Sequence, residues 1–462
     1  MAPDPSKGIP MSLKKRVMFS LISGGDEDSL GDRGGGMLSS LVRGPGGGVA
    51  PVGAGKEPDS ECRETLTHAI AEHETNWDHG KALHESHFTD DVILQGVTLR
   101  DSDPILASEA RVARLKARDT EVLLYAGWYD SGSVVSANRV IKAIGRGRMV
   151  IGPWTHGLRM ACSPHQSLRE PKYDMYGHVA EWLQRVYQGI ENQDPDPAIM
   201  YFVMGTEAWK GAEAWPPPES KDSQPLFFDN NPKNLKDDPD GLLTSAPTDG
   251  GSMLFHIDAE ATTPVASRWN LVQHILEEPV EYGNRAFARG TLRMTAEDRR
   301  GHPFTIAGSP RVSLDLELFG GDDAAVFVYL EDVSPNGDST YVTEGCVRAG
   351  FAAALRQAGR TQKQCQFTRA ELKKFNTREV LPIELQPVAY EFKAGHRVRL
   401  SITGSDKSNF LPVENAASSW TIHYSASTYL VLPEMPSEKD ASTRKGAAMM
   451  SSEQAEKQKL LR

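Results

Sequence analysis

No stretch of the chain stays apolar for the roughly 18 residues that a membrane-spanning helix requires, so the sequence predicts no membrane segment. Basic charge is in deficit too. A net charge of −11 would be repelled by nucleic acid and by an anionic membrane surface, and both are excluded as partners. Cysteine is scarce. Cys62, Cys162, Cys346 and Cys365 lie far apart and lack metal-ligand spacing, so no metal site is expected. They read as reduced structural thiols, although Cys346 and Cys365 could meet on neighbouring strands. Nothing in the pattern asks for a cofactor. The opening run LKKRVMFSLIS imitates a secretory leader, but it turns acidic after Gly24 and has no small-x-small cleavage site, which favours a cytoplasmic location.

What is present is ordinary for a globular protein: 39% apolar and 24% charged residues, in 462 residues that suffice for two or three domains. Residues 1–60 are so glycine-rich, with GGG at Gly34–Gly36 and Gly46–Gly48, that they are expected to be disordered. GPGGGVAPVGAGK falls short of a phosphate-cradling loop because Glu57 follows Lys56. Residues 61–118 read as helical. LTHAIAEHETNWDHGKAL repeats apolar residues at helical spacing, with Trp77 and Leu83 as anchors, and a second helix is predicted over Pro104–Ala117 after Asp101 and Asp103. His68, His73, His79, His84 and His87 crowd this region. His68 and His73 are five apart, off the i, i+4 face of a helical zinc pair, which favours a solvated or core role.

From Val122 the pattern changes. VLLYAGWYDSGSVVSANRVIKAIGRGRMVIGPWTHG reads as a strand (Val122–Ala126), a turn ending in Asp130, a helix (Val134–Ile144), a second strand (Met149–Ile151) and a loop carrying His156. This is a βαβ unit with parallel strands, and it delivers both polar residues to the carboxyl edge of one sheet, where open α/β sheets do their chemistry. An acid past one strand and a histidine past the next suit the later half of a Ser/Asp/His system, Asp130 fixing the imidazole tautomer and His156 acting as general base. Asp130 also stands where the following helix wants an N-cap, and that reading stays open. A helix over Tyr173–Ile190 follows, with Val179, Trp182, Leu183 and Val186 on one face. From Pro225 to Pro433 the alternation has period two, in SPRVSLDLEL, AVFVYLEDV, AYEFKAGHRVRLSITG and TIHYSASTYLVLP, and predicts a β-sandwich or jelly roll. The polar tail over 434–462 is expected to be loose or weakly helical.

GWYD (Gly127–Asp130) followed by GPWTH (Gly152–His156) closely resembles the acid and histidine motifs of the CocE/NonD hydrolases, which include cocaine esterase, Xaa-Pro dipeptidyl-peptidases, glutaryl acylases and α-amino acid ester hydrolases. MYFVMGTEAWKGAEAWPPP, IAGSPRVSLDLEL and YLEDVSPNGDSTYVTEG extend the likeness, which runs from about Glu61 to Pro433. The resemblance implies an α/β plus all-β chain: a helical cap remnant over 61–118, the later part of an α/β-hydrolase domain over 119–215, and a galactose-binding-like jelly roll over 225–433. It implies catalytic roles for Asp130 and His156 on a small acyl ester, amide or peptide substrate. Trp128, Tyr129 and Trp154 are expected to line or support the adjoining pocket, because aromatic side chains at strand ends give an acyl group an apolar wall. The nucleophile is unknown. No serine sits in a G-x-S-x-G elbow. Ser23 lacks the leading glycine, and Ser29 is preceded by three acidic residues that would oppose a developing oxyanion. The expectation is a hydrolase truncated before its nucleophile, the alternative a catalytically inactive binding or assembly module. Homo-oligomerisation is left open.

Overall fold

The computed structural model describes residues 68, 82, 85–94, 96–100, 109–156, 163–165, 173–189, 197–230, 240–248, 250–264, 267–269, 291–296, 301–357 and 365–437. Residues 1–60 with Ser23 and Ser29, most of the helical stretch expected over 61–84, and the tail beyond 437 lie outside them. The chain divides into two compact units. The smaller joins residues of the Gly25–Ser108 segment to Gln366–Leu372, and the larger takes in Glu109–Cys365 and the chain from Lys373 onward.

The described core of the smaller unit is a hairpin of β1 (Val92–Leu94) and β2 (Val97–Thr98), turning through Gly96 at φ +71°. It corrects the helical reading of 61–118 at this point. Val92, Ile93, Val97 and Thr98 are β-branched and favour the pleated backbone, and glycine permits the tight reversal. Thr89 N donates to Phe367 O at 3.1 Å, and Arg369 pairs with Asp91 at 2.7 Å while its guanidinium lies 4.3 Å from the Phe88 ring centroid.

In the larger unit α1 (Glu109–Ala117) is the described part of the helix expected from Pro104, and none of its residues is buried. A four-stranded sheet follows in spatial order β3 (Leu123–Gly127), β4 (Arg148–Gly152), β5 (Ile199–Val203) and β6 (Ala208–Ala212). The first three strands are parallel and β6 folds back on β5. Between β3 and β4, α2 (Ser133–Ile144) buries Val134, Ala137, Val140 and Ile144, the three- and four-residue spacing that puts one apolar stripe on the sheet. Gly145, at φ +81°, closes it with its N–H on Ile141 O. After β4, α3 (Met175–Gln188) starts at Asp174, whose carboxylate accepts the Gly177 N–H. Of its expected apolar face only Trp182 is fully buried; Val179, Leu183 and Val186 are half-buried.

The remainder is mainly β-structure, interrupted by a 3-10 turn at Ala349–Phe351 that runs into a short helix at Ala352–Arg356. Leu226–Asn230 pairs with Gly241–Thr244, which passes the ladder to Leu292–Ala296, Arg397–Thr403, Ala325–Val333 and Ser339–Arg348. Arg311–Phe319 is bonded to Arg378–Glu384, Ser419–His423 and Tyr429–Val431. A separate four-stranded sheet contains Phe304–Gly308 and Val388–Phe392. The end of β5 joins this sheet directly: Met204 N donates to Ala389 O at 3.1 Å, and Glu391 N returns a bond to Met204 O at 2.8 Å. Cys346 and Cys365 both carry thiols, so the disulfide left open by the sequence is not formed.

Candidate active site

The parallel register of β3 on β4, Leu123 beside Arg148 through Gly127 beside Gly152, makes the two strands end level. The ladder then runs two residues past the strands, with Trp128 N on Gly152 O at 3.0 Å and Tyr129 N on Trp154 O at 3.1 Å. Two glycines permit this. A Cβ on Gly127 would stand 2.3 Å from Trp154 O, and one on Gly152 would stand 2.4 Å from the Trp154 indole, so any side chain there would push the two loops apart. The leading glycines of GWYD and GPWTH are therefore spacing devices. They let the tryptophan fold over the end of its own strand.

Asp130 follows in a tight turn. Its N–H donates to Gly127 O at 3.3 Å, its carbonyl accepts from Ser133 N at 2.9 Å, and Ser133 Oγ accepts the Gly127 N–H at 3.2 Å. The N-cap alternative is overturned. The cap position of α2 is Gly132, without a side-chain bond, and the Asp130 carboxylate points elsewhere. Its Oδ1 lies 3.0 Å from Nδ1 of His156. Asp130 is buried, whereas the His156 side chain keeps 18% of its surface in contact with solvent. The hydrogen bond to Asp130 raises the imidazole above its ordinary range, against an opposing pull from partial burial. With a proton held on Nδ1 by the carboxylate, the neutral ring presents Nε2 as an acceptor, and Nε2 has no partner among the described residues. Chemically, the pair can accept a proton from a nearby hydroxyl or water and stabilise the resulting imidazolium.

The three aromatic residues singled out in the sequence are interior. Trp128, Tyr129 and Trp154 are 1%, 0% and 4% exposed, so they back the turn rather than wall an open cleft. Trp128 packs 5.2 Å from Trp215 and donates Nε1–H to Phe202 O; Tyr129 meets Tyr341 at 5.9 Å; Trp154 meets Tyr173 at 5.5 Å and Trp209 at 5.8 Å. Two residues further along the chain, Ser163 and His165, are anchored by side-chain bonds. Ser163 Oγ donates to Glu207, and His165 Nε2 meets Tyr390 OH at 2.9 Å.

Sequence reasoning missed Arg268. It is 1% exposed and bonds to the Trp128 and Ser131 carbonyls on either side of the acid. It sits in ASRWN, with no periodicity and 138 positions from Asp130 (268 − 130), so no local signal announces it. A cavity of about 360 Å³ lies apart from the pair, lined by Gln224, Leu226, Phe304, His396, Val398 and Glu434 among others. No described helix is long and apolar enough to cross a membrane.

Similarity to known proteins gives the family. Residues 192–427 match the X-Pro dipeptidyl-peptidase C-terminal non-catalytic domain. The chain belongs to that family and, with it, to the CocE/NonD hydrolases. A protein named a serine esterase in Mycobacterium bovis (strain ATCC BAA-935 / AF2122/97) is 27% identical over 383 residues, 77% of this chain and 59% of its own length. Cocaine esterase of Rhodococcus sp. (strain MB1 Bresler) is 24% identical over 237 residues, 45% of this chain and 41% of its own. Among solved structures, an α-amino acid ester hydrolase superposes with a TM-score of 0.52 at 16% identity over 80% of this chain and 62% of that one. An aminopeptidase from a marine sediment Thaumarchaeota archaeon gives 0.51 at 16% over 71% and 57%. The chain thus spans about three fifths of the esterase it matches. The matched family segment begins after His156, so the acid–histidine pair rests on its own geometry.

Proposed function

We propose that Asp130 and His156 are the acid and base of a serine-hydrolase charge system that cleaves an ester, amide or Xaa-Pro peptide bond through an acyl-enzyme. The β3–α2–β4 unit is then the later part of an α/β-hydrolase domain, and the β-structure from Leu226 to Glu434 is the jelly roll that supports it. The observation that carries this reading is the 3.0 Å contact between Asp130 Oδ1 and His156 Nδ1 at the level ends of two parallel strands. In this scheme His156 Nε2 takes the proton of an attacking serine hydroxyl and returns it to the leaving group, while Asp130 holds the ring and stabilises its charged form. The hydroxyl comes from outside the described residues, and Ser23 and Ser29 are the first positions to inspect.

A second reading has its own support. His156 Nε2 meets no hydroxyl among the described residues, and the matched family segment is the non-catalytic domain. The chain would then serve as a binding or assembly module with a silent acid–base pair. One experiment separates the two. Short-acyl nitrophenyl esters are assayed with the full chain and with His156→Ala, with and without a serine-directed fluorophosphonate. Turnover that disappears in the variant and is blocked by the reagent supports the hydrolase, and mass mapping of the adduct names the serine. Absence of turnover and of adduct in the folded chain supports the module.

A further inference from the structure

We propose that Arg268 is a positioning residue for Asp130, clamping the carbonyls before and after the acid so that its carboxylate stays aimed at His156. The proposal rests on the reading of Asp130 and His156 as acid and base. Arg268 Nη2 donates to Trp128 O at 2.6 Å and to Ser131 O at 2.9 Å, and Nε donates to Ser131 O at 3.2 Å. Its own carbonyl accepts the Ser131 N–H at 3.0 Å. Nη1 reaches Thr343 Oγ1 at 3.3 Å, and Thr343 in turn donates to Gln386 O at 2.9 Å, which seats the guanidinium on the Ser339–Arg348 strand. One planar fork therefore holds both shoulders of a single turn, a task for which a lysine, with one rotating ammonium, is poorly shaped.

The turn needs holding. Ser131 has φ +48°, a region that residues with a Cβ visit rarely and keep only when their surroundings over-determine it. Both its backbone groups are engaged by Arg268. The cation itself is costly where it stands. It is 1% exposed, and among the described residues its hydrogen-bond partners are carbonyl and hydroxyl oxygens with no carboxylate. An apolar side chain would fill that volume without the desolvation penalty. A buried guanidinium spent on two carbonyls that bracket the acid points to control of the acid's direction.

The test is a histidine NMR titration of the full chain, following His156 in the wild type and in Asp130→Asn, Arg268→Met, Arg268→Lys and Thr343→Val. Asp130→Asn should bring the His156 midpoint down to the ordinary imidazole range. Arg268→Met should cover more than about half of that interval and Arg268→Lys less than about half. Thr343→Val, which unseats Nη1 only, should cause the smallest drop. If Arg268→Met does not fold, Arg268→Lys and Thr343→Val decide by the same ordering. Should Asp130→Asn lower the midpoint while the folded Arg268 and Thr343 variants keep the wild-type value, Arg268 is only structural and the inference fails. Should Asp130→Asn itself leave the midpoint unchanged, the acid–base reading fails first.

Discussion

Among its described residues the larger unit holds two histidine–aspartate pairs of similar length, His156–Asp130 at 3.0 Å and His396–Asp332 at 2.8 Å. In both, the imidazole Nδ1 faces a buried carboxylate. They differ in what lies beyond. Asp332 is 2% exposed and spends its second oxygen on Tyr390 OH, whose oxygen also meets His165, so His165, Tyr390, Asp332 and His396 form a linear chain of four side chains. Burial raises the Asp332 carboxyl despite His396 beside it. Asp130 makes one side-chain bond, to a histidine whose other nitrogen is uncommitted among the described residues. Both imidazoles keep Nε2 without a partner among the described residues, so the difference lies on the carboxylate side: Asp332 is fixed through both oxygens and tied into packing, whereas Asp130 is committed to its histidine alone, at the carboxyl ends of two parallel strands. Side-chain distance alone would not tell them apart.

The sharpest way to break the comparison is by activity. In a chain that turns over an acyl ester, Asp130→Asn should lose roughly 10³- to 10⁴-fold in kcat, because the amide would favour the wrong tautomer. His396→Ala should leave kcat within about threefold, within the scatter expected when no reacting group is touched. A large loss in His396→Ala would mean that the His165–Tyr390–Asp332–His396 network belongs to the chemistry.

Stability should reverse the order. Asp332→Ala strands Tyr390 and His396 at once and should cost about 3 kcal/mol in denaturant unfolding, since removing one partner of a buried network leaves the others unsatisfied. Asp130→Asn keeps the volume, and His156 can turn to water, so its cost should be about 1 kcal/mol. Gly127→Ala falls between. Its methyl would meet the Trp154 carbonyl, a backbone atom that cannot step aside, and about 1–3 kcal/mol is expected together with a weakened Asp130–His156 contact. Equal costs for Asp130→Asn and Asp332→Ala would erase the distinction between the pairs.

The sequence carried the first pair and hid the second for physical reasons. The strands of the βαβ unit start and stop within about a residue of where the apolar runs place them, because two short apolar segments around an amphipathic helix have few other ways to pack. Asp130 and His156 meet because parallel strands in register bring their ends level, a consequence that can be read locally. His165, Tyr390, Asp332 and His396 are scattered over more than two hundred positions and meet only through β-pairing at long range. The same holds for Arg268, and Ser131 gives no sign of its positive φ. The hairpin at Val92–Thr98 escaped because a helical reading was carried past the point where β-branched residues and Gly96 end it.

The smallest effect is the most discriminating, because the histidines beside the two networks should act on stability with opposite signs as pH changes. His156 is raised in the folded state by its bond to Asp130, so its contribution is complete below the ordinary imidazole value, near 6.5, and fades as pH climbs through the raised folded value. His165 is pushed down to about 4, chiefly by burial and then by Lys393 and His396. Its neutral ring is part of the packed network, so its contribution is complete above about 6.5 and is lost as pH falls from there toward 4, where the unfolded chain takes up a proton that the folded one refuses. Urea unfolding at several pH values should therefore show His165→Asn flattening the loss of stability between pH 6.5 and 4. His156→Ala should act on the other side, removing stability at pH 6 but little at pH 9. If the two variants shift the curve in the same direction, one of the two hydrogen-bond assignments is wrong. His165 would be the first to re-examine, since Tyr390 OH already donates to Asp332 and can only accept from His165 Nε2–H.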